Sequence, residues 1–329
     1  MTALLQARGL TIRASTAVGQ VTLVEDVDLE VGEGEIVGLI GESGSGKTTT
    51  VRAMIGLLDR NLPVTGGEIS LRGRTICAKG VPYSDGVRGR HIGMVFQGAS
   101  ASLNPLMRIG KQMREVIKRH DRDATKADVA ERSRRVLTSM GFTDPDRVLH
   151  SFPHQLSGGM RQRVAIALAA VTEPGVIIAD ECTSALDVTT QAEVVALLRS
   201  LTTNSRTGML FVTHDLMLAR EICSRIAVMY AGQIVETGEA RQITSAPRHP
   251  YTRALLEAIP TWGGGEIRGI DGSAPRVTAD WRGCRFAPRC PVARESCTTD
   301  QVAWTGFDDR SGARCLLLES GEELAAVPG

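Results

Sequence analysis

The chain has 329 residues, enough for one large domain with an extension, and 38 Lys+Arg against 37 Asp+Glu leave a net charge of +1. That balance gives no electrostatic ground for a nucleic-acid partner. No apolar run reaches the ~18 residues a membrane span requires, and Met1-Thr2-Ala3-Leu4-Leu5-Gln6-Ala7-Arg8 lacks the charged start and apolar stretch of a signal peptide. A cytosolic protein, or one peripheral on the cytosolic face, is expected.

Residues 1–40 read as strands: Val27, Leu29 and Val31 alternate with Asp28 and Glu30, and Gly32-Glu33-Gly34-Glu35 is a turn. The apolar run Ile36–Ile40 predicts a buried strand, and Thr49–Leu58 a helix. Between them stands Gly41-Glu42-Ser43-Gly44-Ser45-Gly46-Lys47-Thr48, which fits G-x-x-x-x-G-K-[S/T]. Its glycines Gly41, Gly44 and Gly46 let backbone N–H groups close round phosphate oxygens, helped by the positive end of the following helix. Ser43 and Thr49 flank the cradle, Lys47 reaches the β- and γ-phosphates, and the Thr48 hydroxyl ligates Mg²⁺. Nucleotide binding follows from this stretch.

Short strands are expected at Gly67–Leu71 and Ile92–Phe96. From Gly98 to His150 the periodicity becomes helical: Ile109, Met113, Val116 and Ile117 share one face, as do Val129, Val136, Leu137 and Met140, with Gly141 as a stop. Strand Val176–Ala179, helix Gln191–Leu201 and strand Met209–Thr213 then alternate, implying a mostly parallel sheet covered by helices. Gly263-Gly264-Gly265 marks a joint. Trp262, Trp281 and Trp304 lie at or beyond it, as do Cys284, Cys290, Cys297 and Cys315.

Asp180 and Glu181 end an apolar strand, where Asp180 can hold Mg²⁺ and Glu181 can act as general base on the attacking water. Taken alone, a strand ending in acid is as often simply solvated. Leu156-Ser157-Gly158-Gly159-Met160-Arg161-Gln162-Arg163 adds a second anion site, because Ser-Gly-Gly opens a helix with exposed N–H groups and a hydroxyl. Two phosphate sites so far apart in one chain suggest that the second serves another subunit's nucleotide.

In this order the motifs resemble those of ATP-binding-cassette (ABC) ATPases over roughly residues 1–260. Leu156–Arg163 looks like the family's signature, and Gln97, after Gly93-Met94-Val95-Phe96, like its Mg²⁺- and water-sensing glutamine. Ser184-Ala185-Leu186-Asp187 looks like the loop that crosses the dimer interface, and His214, after Phe211-Val212-Thr213, like the histidine on the γ-phosphate. The resemblance implies an α/β P-loop cassette: a mixed sheet core, an antiparallel β subdomain and a helical subdomain at about 98–160. It also implies a head-to-tail dimer with two ATPs in the interface, in which Ser157, Gly158 and Gly159 act in trans and Asp187 lines the contact. Glu181, His214 and Gln97 are then the catalytic positions, with Thr48, Gln97 and Asp180 round Mg²⁺.

Ala101-Ser102-Leu103-Asn104-Pro105, His249-Pro250-Tyr251-Thr252-Arg253-Ala254-Leu255-Leu256 and the cysteine spacing narrow the resemblance to oligopeptide/dipeptide importers. This implies a second, non-identical ATPase, two membrane-spanning permease subunits and an extracytoplasmic solute-binding protein, with no nucleic acid. A nickel or other small-solute importer, or a soluble ABC ATPase acting on ribosomes or DNA, is the alternative. Three departures stand out. Gly98-Ala99 replaces the usual Asp-Pro and is expected to soften the coupling loop, and Cys182 replaces the usual proline. No aromatic residue precedes Tyr83, so Ile12 or Val18 is expected to contact adenine instead.

Residues 261–329 form a C-terminal extension whose four cysteines read as metal ligands in a reducing compartment. The absence of C-x-x-C pairs tilts the reading from zinc towards an iron–sulfur cluster, with unligated thiols the remaining option, and the importer resemblance points to 4Fe–4S. Arg282, Arg285, Arg289 and Arg294 are expected either to offset thiolate charge or to lie solvated on the surface.

Overall fold

The structure is a computed structural model that describes residues 3–16, 19–98, 102–184, 186–259, 269–278 and 280–319. Val18, Ala99, Ala101, Ala185 and the joint at 262–265 lie outside these residues. The chain forms two compact units, one from Met1–Leu4, Val31–Ile36 and Ser84–Val212, the other from Leu5–Glu30, Val37–Tyr83 and Thr213–Gly329.

In the first unit, strands Ile92–Val95, Val176–Asp180 and Gly208–Thr213 run parallel, with Ile178 opposite both Met94 and Leu210. Val176–Asp180 and Gly208–Thr213 are buried along their whole length, which is why both read as unbroken apolar runs rather than alternating ones. Helices Ile109–His120, Lys126–Ser139 and Pro145–His150 form the expected helical region. They bury Ile109, Met113, Ile117, Val129, Leu137, Met140 and Val148. Thr125 opens the second of them with a reciprocal cap: its Oγ1 accepts from Asp128 N–H at 3.2 Å, and its own N–H donates to Asp128 Oδ2 at 2.7 Å. Gly141, at φ +79°, ends that helix as the sequence predicts. Ahead of the region, buried Gln112 donates to the carbonyls of Asn104 and Met107 at 3.0 and 2.9 Å, and Asn104 Oδ1 accepts from Leu106 N–H at 3.0 Å. This pinned turn leaves Leu106 86 % exposed.

The second unit holds two sheets. One orders its strands Gly19–Gly32, Ala3–Thr16, Val64–Leu71, Arg74–Ala78. The other pairs Ile36–Ile40 in parallel with Arg225–Tyr230 (Gly38 opposite Ile226), then continues antiparallel through Gln233–Glu239. This mixed sheet does not stop there. Gly312–Ala313 pairs with Thr237 and Glu236, and Thr305–Gly306 pairs with Gly312–Ala313 in turn. The segment after the joint is therefore stitched to the sheet that carries the phosphate loop. Thr22 N–H also donates to Val277 O at 2.9 Å.

Under this edge lies a buried polar knot. Glu236, fully buried, accepts from the N–H groups of Arg248 and His249 at 2.8 and 3.0 Å. His249 caps helix Pro250–Glu257, its Nδ1 accepting from Tyr251 N–H at 3.0 Å. Burial drives the His249 pKa down from 6.5 to about 3 and raises that of Glu236.

Candidate functional site

The phosphate loop leaves strand Ile36–Ile40 at Gly41 and enters helix Lys47–Met54 through Gly46, whose φ of +104° puts it in the left-handed region. The helix start carries no side-chain cap, so its first N–H groups remain available to an anion. Gly41 cannot carry a side chain: a Cβ there would stand 2.1 Å from Met229 O. Ser43, Gly44 and Thr48 are exposed, and Thr49 is half-buried. Lys47 is folded back, its Nζ donating to Gly41 O at 2.7 Å and Glu42 O at 3.0 Å. The helix ends at Met54, ahead of Gly56 at φ +70°, four residues before the Leu58 that periodicity suggested.

The loop is held from behind by groups that local sequence reading did not single out. Tyr251 is fully buried, and its OH accepts from Glu42 N–H at 2.9 Å; the Ser45 carbonyl accepts from Gly232 N–H at 2.8 Å. Tyr251 packs on Tyr230 (4.5 Å between ring centroids) and on Phe286 (5.3 Å). The only advance signal was that Tyr251 sits in the importer-like His249–Leu256 stretch. His214 is exposed in this unit, after Thr213 and before helix Leu216–Ile222, which Asp215 caps through Leu218 N–H at 2.9 Å.

In the other unit, Asp180 is 5 % exposed at the end of its strand. Glu181 follows in the left-handed region at φ +43°, a conformation that costs a non-glycine residue about 1 kcal/mol or more. Its N–H donates to Val212 O at 2.9 Å, and its carbonyl accepts from Ser184 Oγ at 3.0 Å and Ser184 N–H at 3.3 Å. Gln97 Nε2 donates to Glu181 Oε2 at 2.9 Å, so two predicted site residues separated by 84 positions meet directly. Cys182 beside them is buried, and burial pushes its thiol up to about 12. Gly98, at φ +78°, uses the freedom that an Asp-Pro pair would remove.

Ser157 caps helix Gly158–Ala170 through Met160 N–H at 3.2 Å, and both Ser157 and Gly158 are exposed. Asp187 caps helix Val188–Ser205, accepting from Thr190 N–H at 3.0 Å and Thr190 Oγ1 at 2.7 Å; these bonds lower its pKa. A Cβ on Gly159 would lie 2.6 Å from Thr190 Cγ2, so the signature helix and the Asp187 turn meet at that glycine.

Ile12 is fully buried and has no face to offer adenine, which leaves Val18, outside the described residues, as the other expected contact. Of the four tail arginines, Arg282 and Arg294 are exposed, in line with the solvated alternative, and the other two depart from it. Arg285 and Arg289 are neither solvated nor engaged with the thiols; they form ion pairs with Glu25 and Glu42. Cys284, Cys290, Cys297 and Cys315 lie close enough to influence one another electrostatically, and none forms a disulfide. Burial raises the thiol pKa of Cys284 to about 11 and also raises those of Cys290 and Cys315. Backbone N–H groups work against burial at three of the sulfurs: Phe286 on Cys284, Val292 on Cys290 and Leu317 on Cys315. Arg294 N–H lies 3.5 Å from Cys297 Sγ. That donor environment fits thiolate ligation, yet among the described residues no three His, Cys, Asp or Glu side chains are arranged to hold a metal ion. No helix among them is long and apolar enough to cross a membrane.

Residues 24–184 match the ABC transporter family, and residues 235–297 match the oligopeptide/dipeptide transporter C-terminal region. A putative peptide import ATP-binding protein of Brucella ovis is 39 % identical over 98 % of both chains. The oligopeptide transport ATP-binding protein OppD of Escherichia coli is 40 % identical over 90 % of this chain and 88 % of its own. The dipeptide transport ATP-binding protein DppD of Bacillus subtilis is 36 % identical over 100 % and 99 %. Among solved structures, the dimeric post-hydrolysis state of the cassette MJ0796, bound to ADP and Pi, aligns with a TM-score of 0.62 at 28 % identity, covering 72 % of this chain and 99 % of that one. The chain belongs to the ATP-binding ATPase subunits of ABC transporters, in the branch that carries the oligopeptide/dipeptide C-terminal region.

Proposed function

We propose that this protein is the ATPase that powers an importer of short peptides, peripheral on the cytoplasmic face of the membrane. The observation that carries the reading is the match to the oligopeptide/dipeptide C-terminal region at 235–297, following the ABC transporter match at 24–184 in one chain. The cassette spans residues 1–260 and the extension 261–329. Lys47 and the loop N–H groups hold the phosphates of ATP, while Thr48, Asp180 and Gln97 supply the oxygens that suit Mg²⁺. Glu181, oriented by Gln97, takes the proton of the attacking water, and His214 contacts the γ-phosphate. Ser157, Gly158 and Gly159 serve the nucleotide of a second, non-identical cassette, with Asp187 at the contact. The pinned turn at Asn104–Met107, with Leu106 standing out, suits docking to one of two permease subunits.

Cys284, Cys290, Cys297 and Cys315 are the residues that would hold a 4Fe–4S cluster, with zinc as the alternative ion. Ligation would have to strip protons from thiols that burial keeps protonated, so the bound group would release protons and tie the extension together. Iron and sulfide content after anaerobic purification tests that part.

A mild-detergent pull-down from the native cells tests the whole reading. Two multi-spanning proteins, a second cassette and a solute-binding protein are expected. Ribosomal or DNA-repair partners without a membrane protein would overturn it.

A further inference from the structure

The phosphate loop contains an acid, Glu42, in a place that must receive the strongly negative phosphates of ATP. A bare carboxylate there opposes binding by like-charge repulsion. Here it is not bare. Arg289 meets it with a two-point fork, Nη1 to Oε2 at 2.7 Å and Nη2 to Oε1 at 3.1 Å.

Every other donor on the guanidinium is also committed: Nη1 to the Tyr230 hydroxyl at 3.2 Å, Nη2 to Ile270 O at 3.0 Å, and Nε to Asp271 O at 2.7 Å. All five N–H groups are therefore used. The Arg289 side chain is 5 % exposed, and its guanidinium also lies 5.7 Å from the centre of the Tyr230 ring. Glu42 keeps it charged, raising its already high pKa. Such a fixed, fully bonded arginine sets where Glu42 sits.

Glu42 is fixed at its other end too, since its N–H donates to Tyr251 and its carbonyl accepts from Lys47 Nζ. A second arginine of the same segment braces the far side of the loop. Arg285, 3 % exposed, pairs with Glu25 and donates to Ala231 O at 2.6 Å. The next residue, Gly232, donates to Ser45 O of the loop. Phe286, between the two arginines, packs edge-on to Tyr230 at 5.3 Å.

We propose that Arg289 is a positioning residue for nucleotide binding: it neutralises and aims Glu42, so that the cysteine-bearing segment braces the phosphate loop of its own chain. Arg285 and Phe286 seat that brace. The inference rests on the nucleotide-site reading above and deepens it. Arg289 does not touch ATP; it acts through Glu42.

The test is a double-mutant cycle on the full-length chain, read by titration with a fluorescent ATP analogue plus Mg²⁺ and by ATPase kinetics. Arg289→Ala leaves Glu42 charged and unpaired, and is expected to weaken nucleotide binding about tenfold or more. Adding Glu42→Gln removes the repelling charge, so the double variant should recover to within about threefold of wild type. Arg289→Lys keeps the charge but loses the fork; it should raise the KM for ATP about threefold to tenfold with kcat within about twofold.

Recovery in the double variant is a result that mere loss of packing would not give. If Arg289→Ala bound as wild type does, or if the double variant were as weak as Arg289→Ala alone, the inference would be overturned. Should Arg289→Ala fail to fold, Arg289→Lys decides: a fall in kcat with unchanged KM refutes positioning. Wild-type protein that bound no nucleotide would overturn the underlying site reading instead.

Discussion

Lowering the pH from 8 to 5 should expose the buried knot beneath the phosphate loop. His249 is 1 % exposed, and its Nδ1 must stay unprotonated to accept from Tyr251 N–H, so the folded chain holds it neutral down to about pH 3. The unfolded chain takes up that proton near 6.5. Stability linked to His249 is therefore fully present above 6.5 and is lost as the pH falls towards 3. With those two values, the loss between pH 8 and pH 5 is about 2 kcal/mol. Glu236 works in the opposite sense: its raised pKa gives a contribution that is present below 4.5 and lost as the pH rises through its folded value. Comparing wild type with His249→Asn cancels the Glu236 contribution. Asparagine also keeps a capping oxygen for the helix that starts at Pro250. Urea unfolding of both proteins at pH 8 and pH 5 should give the variant about 2 kcal/mol less pH dependence than wild type. Equal pH dependence in the two proteins would refute the neutral, buried His249.

Glu181→Gln should lower kcat by about 10²- to 10⁴-fold while ATP binding is retained, because the proton acceptor is lost and the Gln97 contact keeps an oxygen partner; unchanged turnover would remove Glu181 as base. Cys182, with its thiol at about 12 and only 3 % exposed, should resist iodoacetamide at pH 8 in the folded protein, as mass spectrometry of tryptic peptides can establish. With no aromatic before Tyr83 and Ile12 buried, ATP and GTP should bind within about fivefold of each other in side-by-side titrations; a large preference for ATP would reveal a stacking partner from elsewhere.

What could be read in advance follows the distance over which each feature is encoded. The phosphate loop is contiguous, and its strand–loop–helix setting is local, so strand Ile36–Ile40 and the loop were legible to the residue, whereas the helix read as 49–58 runs from Lys47 to Met54. The helical region was legible because Ile109, Met113 and Ile117 repeat with the helical period, and because Gly141 supplies a left-handed stop. Helix Val188–Ser205 begins three residues earlier than its apolar periodicity suggested, since Asp187 caps it four residues before Gln191. The run Ile226–Tyr230 was passed over: a strand buried on both faces shows no alternation to notice. Family likeness gave Gln97 and Glu181 separate roles but not the bond between them, and nothing in either stretch suggested the one from Arg289 to Glu42, 247 residues apart. Charge pairs across such spans leave no periodicity. The left-handed backbone at Glu181 is likewise invisible, because it is imposed by Val212 and Ser184 rather than by its own neighbours.

The pairing of Gly312–Ala313 with Glu236 and Thr237 has a practical consequence for anyone who trims this protein to its cassette. Arg314 N–H also donates to Val235 O at 2.9 Å, so the segment covers the middle of strand Gln233–Glu239 on that side. Cutting the chain near residue 260 would turn that covered strand into a bare edge with open N–H and C=O groups, the template on which strands of other molecules add. The shortened protein would be recognised first by its tendency to self-associate and come out of solution. Any kinetic defect would be measured on whatever fraction remained dispersed.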